Sequence, residues 1–269
     1  MSIKSLLAAL FCLAIIFFTS CKGPASNTGS TLPSDAIVYN NPPADGFDID
    51  GSHPIAVLLA DQAMNAMGGR QKWDDTKVLY WNFLGIRTLL WDKQNNRVRI
   101  DVPEKNKVTI LDMNNETGKS WVDGLEITDV ELLKKDLTDA KKIWINDSYW
   151  LVMPFKLKDS GVTLSYLREE ESMTGERCDV LGLTFQNVGV TPQNGYEIWI
   201  SIDSRLVKQW AFFKNAEDQE ASFVKPWDDY KDFNGLLLAG ERGDKDLTDI
   251  KVLDEAPKGS FENPNPIQF

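Results

Sequence analysis

The sequence predicts a mainly β protein of the α+β class, in which two antiparallel meanders are accompanied by two helices. Stretches of β-forming residues with period-two alternation fill residues 77–122 and 162–241, and turn residues interrupt them at short intervals. Such close spacing leaves no room for helical crossovers, so neighbouring strands are expected to run antiparallel. Two other stretches, 52–69 and 128–145, have apolar residues at helical spacing. We expect about 11 strands in the two meanders.

The first 20 residues are typical of a bacterial export signal. Lys4 supplies a positive start, and the apolar run Leu6–Phe18 is shorter than a comfortable membrane span. The run leads into Phe18-Thr19-Ser20-Cys21, which resembles the lipobox of bacterial lipoproteins, where cleavage before the cysteine precedes its lipidation. We therefore predict a signal peptide over residues 1–20 and a lipid on Cys21. The alternative is an ordinary signal peptide with an incidental cysteine.

Residues 21–51 are predicted to be a lipid-anchored flexible tether. They are rich in Gly, Pro, Ser and Asn, and their acidic stretch 45–51 lacks the ordered ligand positions of a calcium loop. The folded domain is predicted to span residues 52–243. The polar segment 244–269 is expected to be a loosely held tail.

The first helix is predicted to begin at Ser52 or His53 and to end at Gly68-Gly69. The only histidine of the chain is thus expected to cap a helix, and a histidine-based metal site is not expected. The predicted buried stripe of this helix consists of Ile55, Leu58, Leu59, Ala63, Met64 and Met67.

The second helix is predicted to begin at Thr128, because Thr128–Glu131 matches a capping box. The polar triplet Asn146–Ser148 is predicted to end it. The apolar run Tyr149–Met153, closed by Pro154, would then be a short strand buried on both faces.

The aromatic residues suggest a surface that meets an apolar ligand. Several strands carry large apolar side chains on both faces, whereas a one-sided sheet would alternate apolar and polar residues. One face is expected to pack on helices, and the other to meet a second sheet or an open lipophilic cavity. For each single residue, core packing is the alternative. The residues predicted to line the cavity are Trp81, Phe83, Trp91, Trp199, Trp210 and Phe212.

Charge and chemistry exclude other classes of function. A net charge of −11 argues against nucleic-acid binding. With Cys12 in the signal peptide and Cys21 lipidated, Cys178 would be an unpaired, packed thiol. No Ser-His arrangement, nucleophile elbow or metal-ligand spacing occurs, so no catalytic residue, metal or cofactor is predicted.

The order of these features resembles a known family. The lipobox is followed by a helix ending in Met67-Gly68-Gly69, then Trp73, a meander, a capped helix and a second meander; the most specific stretches are Tyr149–Lys156 and Asp159–Val162. Together they resemble the LolA/LolB-type lipoprotein-carrier superfamily, and within it the Bacteroidetes lipoproteins of the DUF6503 type. Over residues 55–241 the resemblance implies an incomplete, strongly curved antiparallel β-barrel, with helices covering its open side and an apolar cavity for acyl chains. No residue here matches the carriers' functional arginine.

The leading hypothesis is a membrane-anchored, non-enzymatic lipoprotein that binds a lipid or another apolar ligand, as in lipid or lipoprotein carriage. Its partners would be the membrane, the ligand and other envelope lipoproteins. The expected location is the outer membrane, facing the periplasm, because no acidic cluster follows Cys21. The alternatives are a non-catalytic lipoprotein of envelope assembly or protein interaction, which a filled cavity would favour, and a hydrolase acting on glycans or lipids.

Overall fold

A computed structural model describes residues 39–186 and 191–269. The predicted signal peptide, Cys21 and most of the predicted tether lie outside these residues. Within the described ranges the three α-helices are α1 (Pro54–Ala66), α2 (Gly69–Asp75) and α3 (Val130–Val152), and two short 3₁₀ helices cover Pro103–Lys105 and Met153–Lys156.

The strands follow α2 and α3 in two runs, and the described residues contain 14 of them where about 11 were predicted. The strands that follow α2 are β1 (Val78–Phe83), β2 (Arg87–Asp92), β3 (Arg97–Val102), β4 (Lys107–Asp112), β5 (Thr117–Val122) and β6 (Leu125–Glu126). The strands that follow α3 are β7 (Val162–Glu171), β8 (Arg177–Phe185), β9 (Gly195–Ser201), β10 (Val207–Phe213), β11 (Phe223–Pro226), β12 (Asp228–Phe233), β13 (Leu236–Glu241) and β14 (Leu247–Leu253).

These strands form two main antiparallel sheets and a hairpin. The first sheet has the order β14-β1-β2-β3-β4-β5-β6, the second has the order β11-β10-β9-β8-β7, and β12 pairs with β13 alone. In the described part of the chain the sheets do not close into a barrel, and α3 packs on the first sheet through β4 and β5. The predicted mainly β, incomplete-barrel architecture is thus confirmed.

Two core clusters lie on the inner faces of the two sheets, and Trp150 of α3 packs against both. Its ring meets Phe83 of β1 edge-on at 5.8 Å and Trp210 of β10 edge-on at 4.9 Å. Phe155, in the 3₁₀ helix after α3, stacks on Trp73 of α2 at 4.7 Å. The end of α3 is therefore where the two cores meet.

The predicted end of the second helix is wrong. α3 continues through Asn146–Ser148 to Val152, so Tyr149–Met153 is helical and not a strand. The Asp147 side chain, which is fully buried, accepts two hydrogen bonds from Arg87 at 2.6 and 2.7 Å. Because a distant strand satisfies this carboxylate, the polar triplet does not break the helix. The cap is also displaced by one residue, since Asp129 rather than Thr128 accepts from the backbone N–H of Leu132.

The predicted cap of α1 is confirmed, but two members of its predicted stripe are wrong. The His53 Nδ1 accepts a hydrogen bond from the backbone N–H of Ile55 at 3.3 Å. Ile55 and Leu58 are 49% and 46% exposed. The buried face of α1 is instead formed by Ala56, Ala60 and Ala63 together with Leu59 and Met64.

The predicted tether (residues 21–51) and the predicted tail (residues 244–269) were both expected outside the domain, but described residues of each make contacts with it. On the N-terminal side, the backbone N–H of Ala44 donates to the Lys158 carbonyl at 2.9 Å. On the C-terminal side, β14 pairs with β1, and the buried Arg99 guanidinium donates to main-chain carbonyls of residues 260–265 at 2.7 to 3.3 Å. The C-terminal residues thus cover the outer face of the first sheet.

Candidate functional site

Four of the six residues predicted to line a cavity lie in the interior near the second half of α3. Trp81, Phe83 and Trp91 are 0%, 3% and 8% exposed on the inner face of the first sheet, and Trp210 is 1% exposed on that of the second. Trp91 meets Trp144 of α3 edge-on at 5.3 Å. These rings pack against protein, so their contact with a ligand stays a prediction.

Of the other two predicted residues, Phe212 shares the inner face of the second sheet with Trp210, whereas Trp199 does not. Trp199 is on the opposite face of the second sheet, where its indole N–H donates to Glu170 at 3.1 Å and the Arg168 guanidinium lies 5.6 Å from its ring. Phe212 is half-buried on the inner face and stacks on Phe223 at 5.2 Å. The structure therefore does not bring Trp199 together with the interior group.

The interior contains buried hydrogen-bond donors without a protein acceptor. Within the described residues, the indole N–H groups of Trp81, Trp91, Trp144 and Trp210 and the hydroxyl of Tyr149 make no hydrogen bond. A buried donor left unpaired costs about 1–3 kcal/mol. Groups of this kind are suited to an acceptor oxygen, from water or from a ligand.

A groove with a volume of about 610 Å³ runs between α3 and strands β4 and β5. Apolar side chains form most of its surface, and three lysines and one glutamate are also part of it. Its lining residues are Leu111, Glu116, Thr117, Gly118, Val130, Leu133, Lys134, Leu137, Thr138, Lys141, Lys142 and Ile145. None of them belongs to the set predicted from the sequence, because the groove depends on how α3 lies on the sheet.

Two features set the distance between α3 and the groove floor. A Cβ on Gly118 would lie 2.0 Å from the Ile110 carbonyl oxygen and 2.9 Å from a Leu137 methyl carbon, so only glycine fits there. Next to it, the buried Asp136 of α3 accepts from Lys107 and, at 2.8 Å, from the Ser120 hydroxyl. Together they hold the first half of α3 close to the sheet.

Charges at the groove are mostly positive, in contrast with the whole chain. Lys141 pairs with Glu116 across the groove. Lys134 and Lys142 have no ion pair within the described residues. Three lysines and one glutamate give the lining a formal charge of 3 − 1 = +2, whereas the chain carries −11. The groove therefore suits an anionic group at the end of an apolar ligand.

The end of α3 is fixed by a buried arginine that sequence reasoning missed. Arg242 donates to the carbonyl of Trp150 at 2.6 Å and lies 3.7 Å from the Trp227 ring. Burial lowers the pKa of Arg242 to about 9, so the side chain stays charged at neutral pH. A cation here satisfies a carbonyl left free at the helix C-terminus and complements the helix dipole. No local sequence signal reveals it, because its acceptors are main-chain atoms.

The described residues contain neither a cluster of metal ligands nor a helix that could span a membrane. In residues 39–186 and 191–269 no group of three or more His, Cys, Asp or Glu side chains is arranged to hold a metal ion. None of the helices in the described part of the chain has the length and hydropathy that a membrane crossing requires.

Comparisons with known proteins gave weak structural similarities. No family model and no curated protein sequence matches the chain. The structure is similar to that of a DUF1329 family protein from Desulfovibrio piger, with a TM-score of 0.40 and 13% identity over 77% of this chain and 97% of the other. It is also similar to MucB, with a TM-score of 0.25 and 14% identity over 77% and 70% of the two chains. The third similarity is to MucB in complex with MucA(peri), with a TM-score of 0.19 and 14% identity over 58% and 49%.

These TM-scores are all below 0.5, so the similarities carry no argument about function. The narrower resemblance to DUF6503-type lipoproteins has no support from these comparisons.

Proposed function

We propose that this protein is a lipid-anchored, non-enzymatic lipoprotein of the cell envelope that binds a lipid or another apolar ligand beside α3. The observation that carries the proposal is the groove between α3 and strands β4 and β5. Withdrawing acyl surface from water into such a groove contributes about 25 cal/mol per Å².

The volume and the charge of the groove restrict the class of ligand that it can bind. A volume of about 610 Å³ lies within the range of about 300–1,000 Å³ that is usual for ligand pockets, and it offers room for an acyl chain. Lys134 and Lys142 would pair with an anionic group at the end of that chain.

Contact with the predicted aromatic residues would require a movement of α3. The indoles of Trp81, Trp91 and Trp210 are buried and have unpaired N–H groups. If the helix were displaced, ester or carboxylate oxygens of the ligand would become acceptors for them. Carriage of lipids or lipoproteins, as in LolA/LolB-type proteins, is part of this proposal.

Retention of lipid by purified protein tests the proposal. Wild type, Leu133→Trp and Leu132→Trp are incubated with membrane lipid extract and analysed by native mass spectrometry. Leu133 lines the groove, whereas Leu132, next to it and 44% exposed, does not. We expect one acyl lipid per wild-type chain, at least tenfold less on Leu133→Trp, and no change for Leu132→Trp. A wild type that retains no lipid, or equal retention by the two variants, would contradict the proposal.

Lipidation of Cys21 and the tether over residues 21–51 are the second part of the proposal. They rest on the sequence Phe18-Thr19-Ser20-Cys21 and on the composition that follows it. Labelling of cells with a radioactive fatty acid tests them, since wild type should be labelled and Cys21→Ala should not.

A second candidate function is the binding of a protein partner by a non-catalytic envelope lipoprotein. The closed packing of Trp81 and Trp210, which are 0% and 1% exposed, favours it. In that case a photo-crosslinking residue at Thr138, on the exposed side of the groove, should capture a protein in cells rather than a lipid.

A further inference from the structure

The outer face of α1 has exposed apolar side chains that do not pack in the core. Ile55 and Leu58 lie one helical turn apart, on the side away from the alanine-rich face that packs on the second core cluster. They are 49% and 46% exposed, and Ile49, in the turn before the helix, is 54% exposed. The turn is closed by a hydrogen bond from the Ser52 hydroxyl to the Asp48 carbonyl at 2.6 Å, which keeps Ile49 near the start of α1. We name these three side chains the α1 patch.

The N-terminal segment reaches the domain beside this patch. The Asn41 side-chain amide donates to Asp61 of α1 at 2.8 Å, and Lys158 donates to the same carboxylate oxygen at 2.6 Å. Lys158 is buried, and its carbonyl also accepts from Ala44. Asp61 lies three residues after Leu58, so Asn41 is fixed within one helical turn of the patch.

The length of chain before this point brings a lipid surface within reach. Residues 22–38, 17 in all, separate Cys21 from the first described residue. A chain of that length spans at most about 60 Å. An anchor on Cys21 would therefore keep the α1 patch at a high effective concentration near the membrane, where even weak apolar contacts become occupied.

We infer that the α1 patch is a membrane-docking surface, which inserts its aliphatic side chains into the lipid surface that holds the anchor. The inference rests on the proposed lipidation of Cys21, but not on ligand binding in the groove. Asp45, Asp48 and Asp50 lie in the same turn region, so docking favours zwitterionic over anionic lipid. Docking fixes one orientation of the domain at the membrane.

The first experiment measures the orientation of the anchored protein. Cys178 is buried and burial raises the pKa of its thiol to about 11, so a cysteine introduced at an exposed position is labelled selectively. Leu58→Cys and the matched control Leu167→Cys, at a position 42% exposed on β7, receive an environment-sensitive fluorophore. The acylated proteins are placed in phosphatidylcholine vesicles that contain nitroxide-labelled lipid.

We expect a blue-shifted emission that nitroxide quenches at position 58, and a water-like, unquenched emission at position 167. A water-like signal at position 58 on the anchored protein overturns the inference. Equal quenching at both positions also overturns it.

A second experiment removes the dependence on lipidation. Chains with Cys21→Ala, purified without an acyl group, are titrated with phosphatidylcholine vesicles. Replacing both Ile55 and Leu58 by Ser is expected to weaken partitioning at least about tenfold, whereas Leu167→Ser leaves it unchanged. Equal partitioning of all three chains overturns the inference even where acylation of Cys21 is absent.

Discussion

Asp147 shows how a charged residue can lie inside the long helix without ending it. Its side chain is fully buried, and Arg87 of β2 binds both carboxylate oxygens. Burial raises the pKa of Asp147, and the guanidinium opposes that rise. Removing one partner of such a pair leaves an uncompensated buried charge, which costs far more than the net contribution of the intact pair.

A double-mutant cycle tests this account of the pair. We expect Arg87→Met to lower the free energy of unfolding by about 3 kcal/mol, because the carboxylate of Asp147 then lacks a partner. Adding Asp147→Leu should restore part of the loss. Urea unfolding of the four chains measures both effects. A double variant less stable than Arg87→Met would contradict the account.

At the scale of elements, α3 and β5 approach more closely than ordinary side chains permit. Gly118 of β5 faces Leu137 of α3, and its missing Cβ is what allows the approach. The buried Asp136, bound by Lys107 and Ser120, holds the helix in that position. The groove beside α3 therefore depends on one glycine and one polar contact rather than on a repeated pattern.

Replacing Gly118 by Ala tests this close approach. The added methyl group meets the Ile110 carbonyl, which is backbone and cannot move aside cheaply, so we expect destabilisation by about 1–3 kcal/mol. The matched control is Gly182→Ala in β8, where the methyl group would lie 3.4 Å from Leu167, an ordinary contact. Thermal unfolding should show a clear loss of unfolding free energy for Gly118→Ala and a loss of less than about 1 kcal/mol for Gly182→Ala. Equal losses would contradict the account.

At the scale of the whole molecule, carboxylates govern the response to acid. Asp92 is the buried member of a group of aspartates whose pKa values are lowered, and Asp244 is an exposed member. Burial alone would raise the pKa of Asp92, but hydrogen bonds from Arg97 and Asn95 outweigh it and lower the pKa below 3.8. A lowered folded pKa contributes stability that is present above the unfolded pKa and is lost as the pH falls through the folded value.

Acid unfolding should therefore depend on Asp92. We expect wild type to lose stability below about pH 4, and Asp92→Asn to lose less over the same range because it lacks that titration. Asp244→Asn should behave as wild type, since its carboxylate is exposed and screened by solvent. Urea midpoints between pH 7 and pH 3 measure the difference. If the urea midpoints of wild type and Asp92→Asn fell by the same amount between pH 7 and pH 3, the role given to Asp92 would be contradicted.

The sequence by itself determined the fold class, most strand positions and the start of α1 at Ser52 or His53. These follow from local signals, because the alternation along a strand and the side chain before a helix act over a few residues. The resemblance of Phe18–Cys21 to a lipobox also comes from the sequence alone, and lipidation of Cys21 stays a prediction.

The tertiary structure alone decided which face of α1 is buried, where α3 ends and where the groove lies. Ile55 and Leu58 are exposed because the alanines of α1 pack closer to the core, and α3 continues because Arg87, 60 residues away, neutralises Asp147. The groove residues lack a shared motif, since strand and helix meet only after the chain has folded. Long-range partners of this kind leave no periodic trace in the sequence.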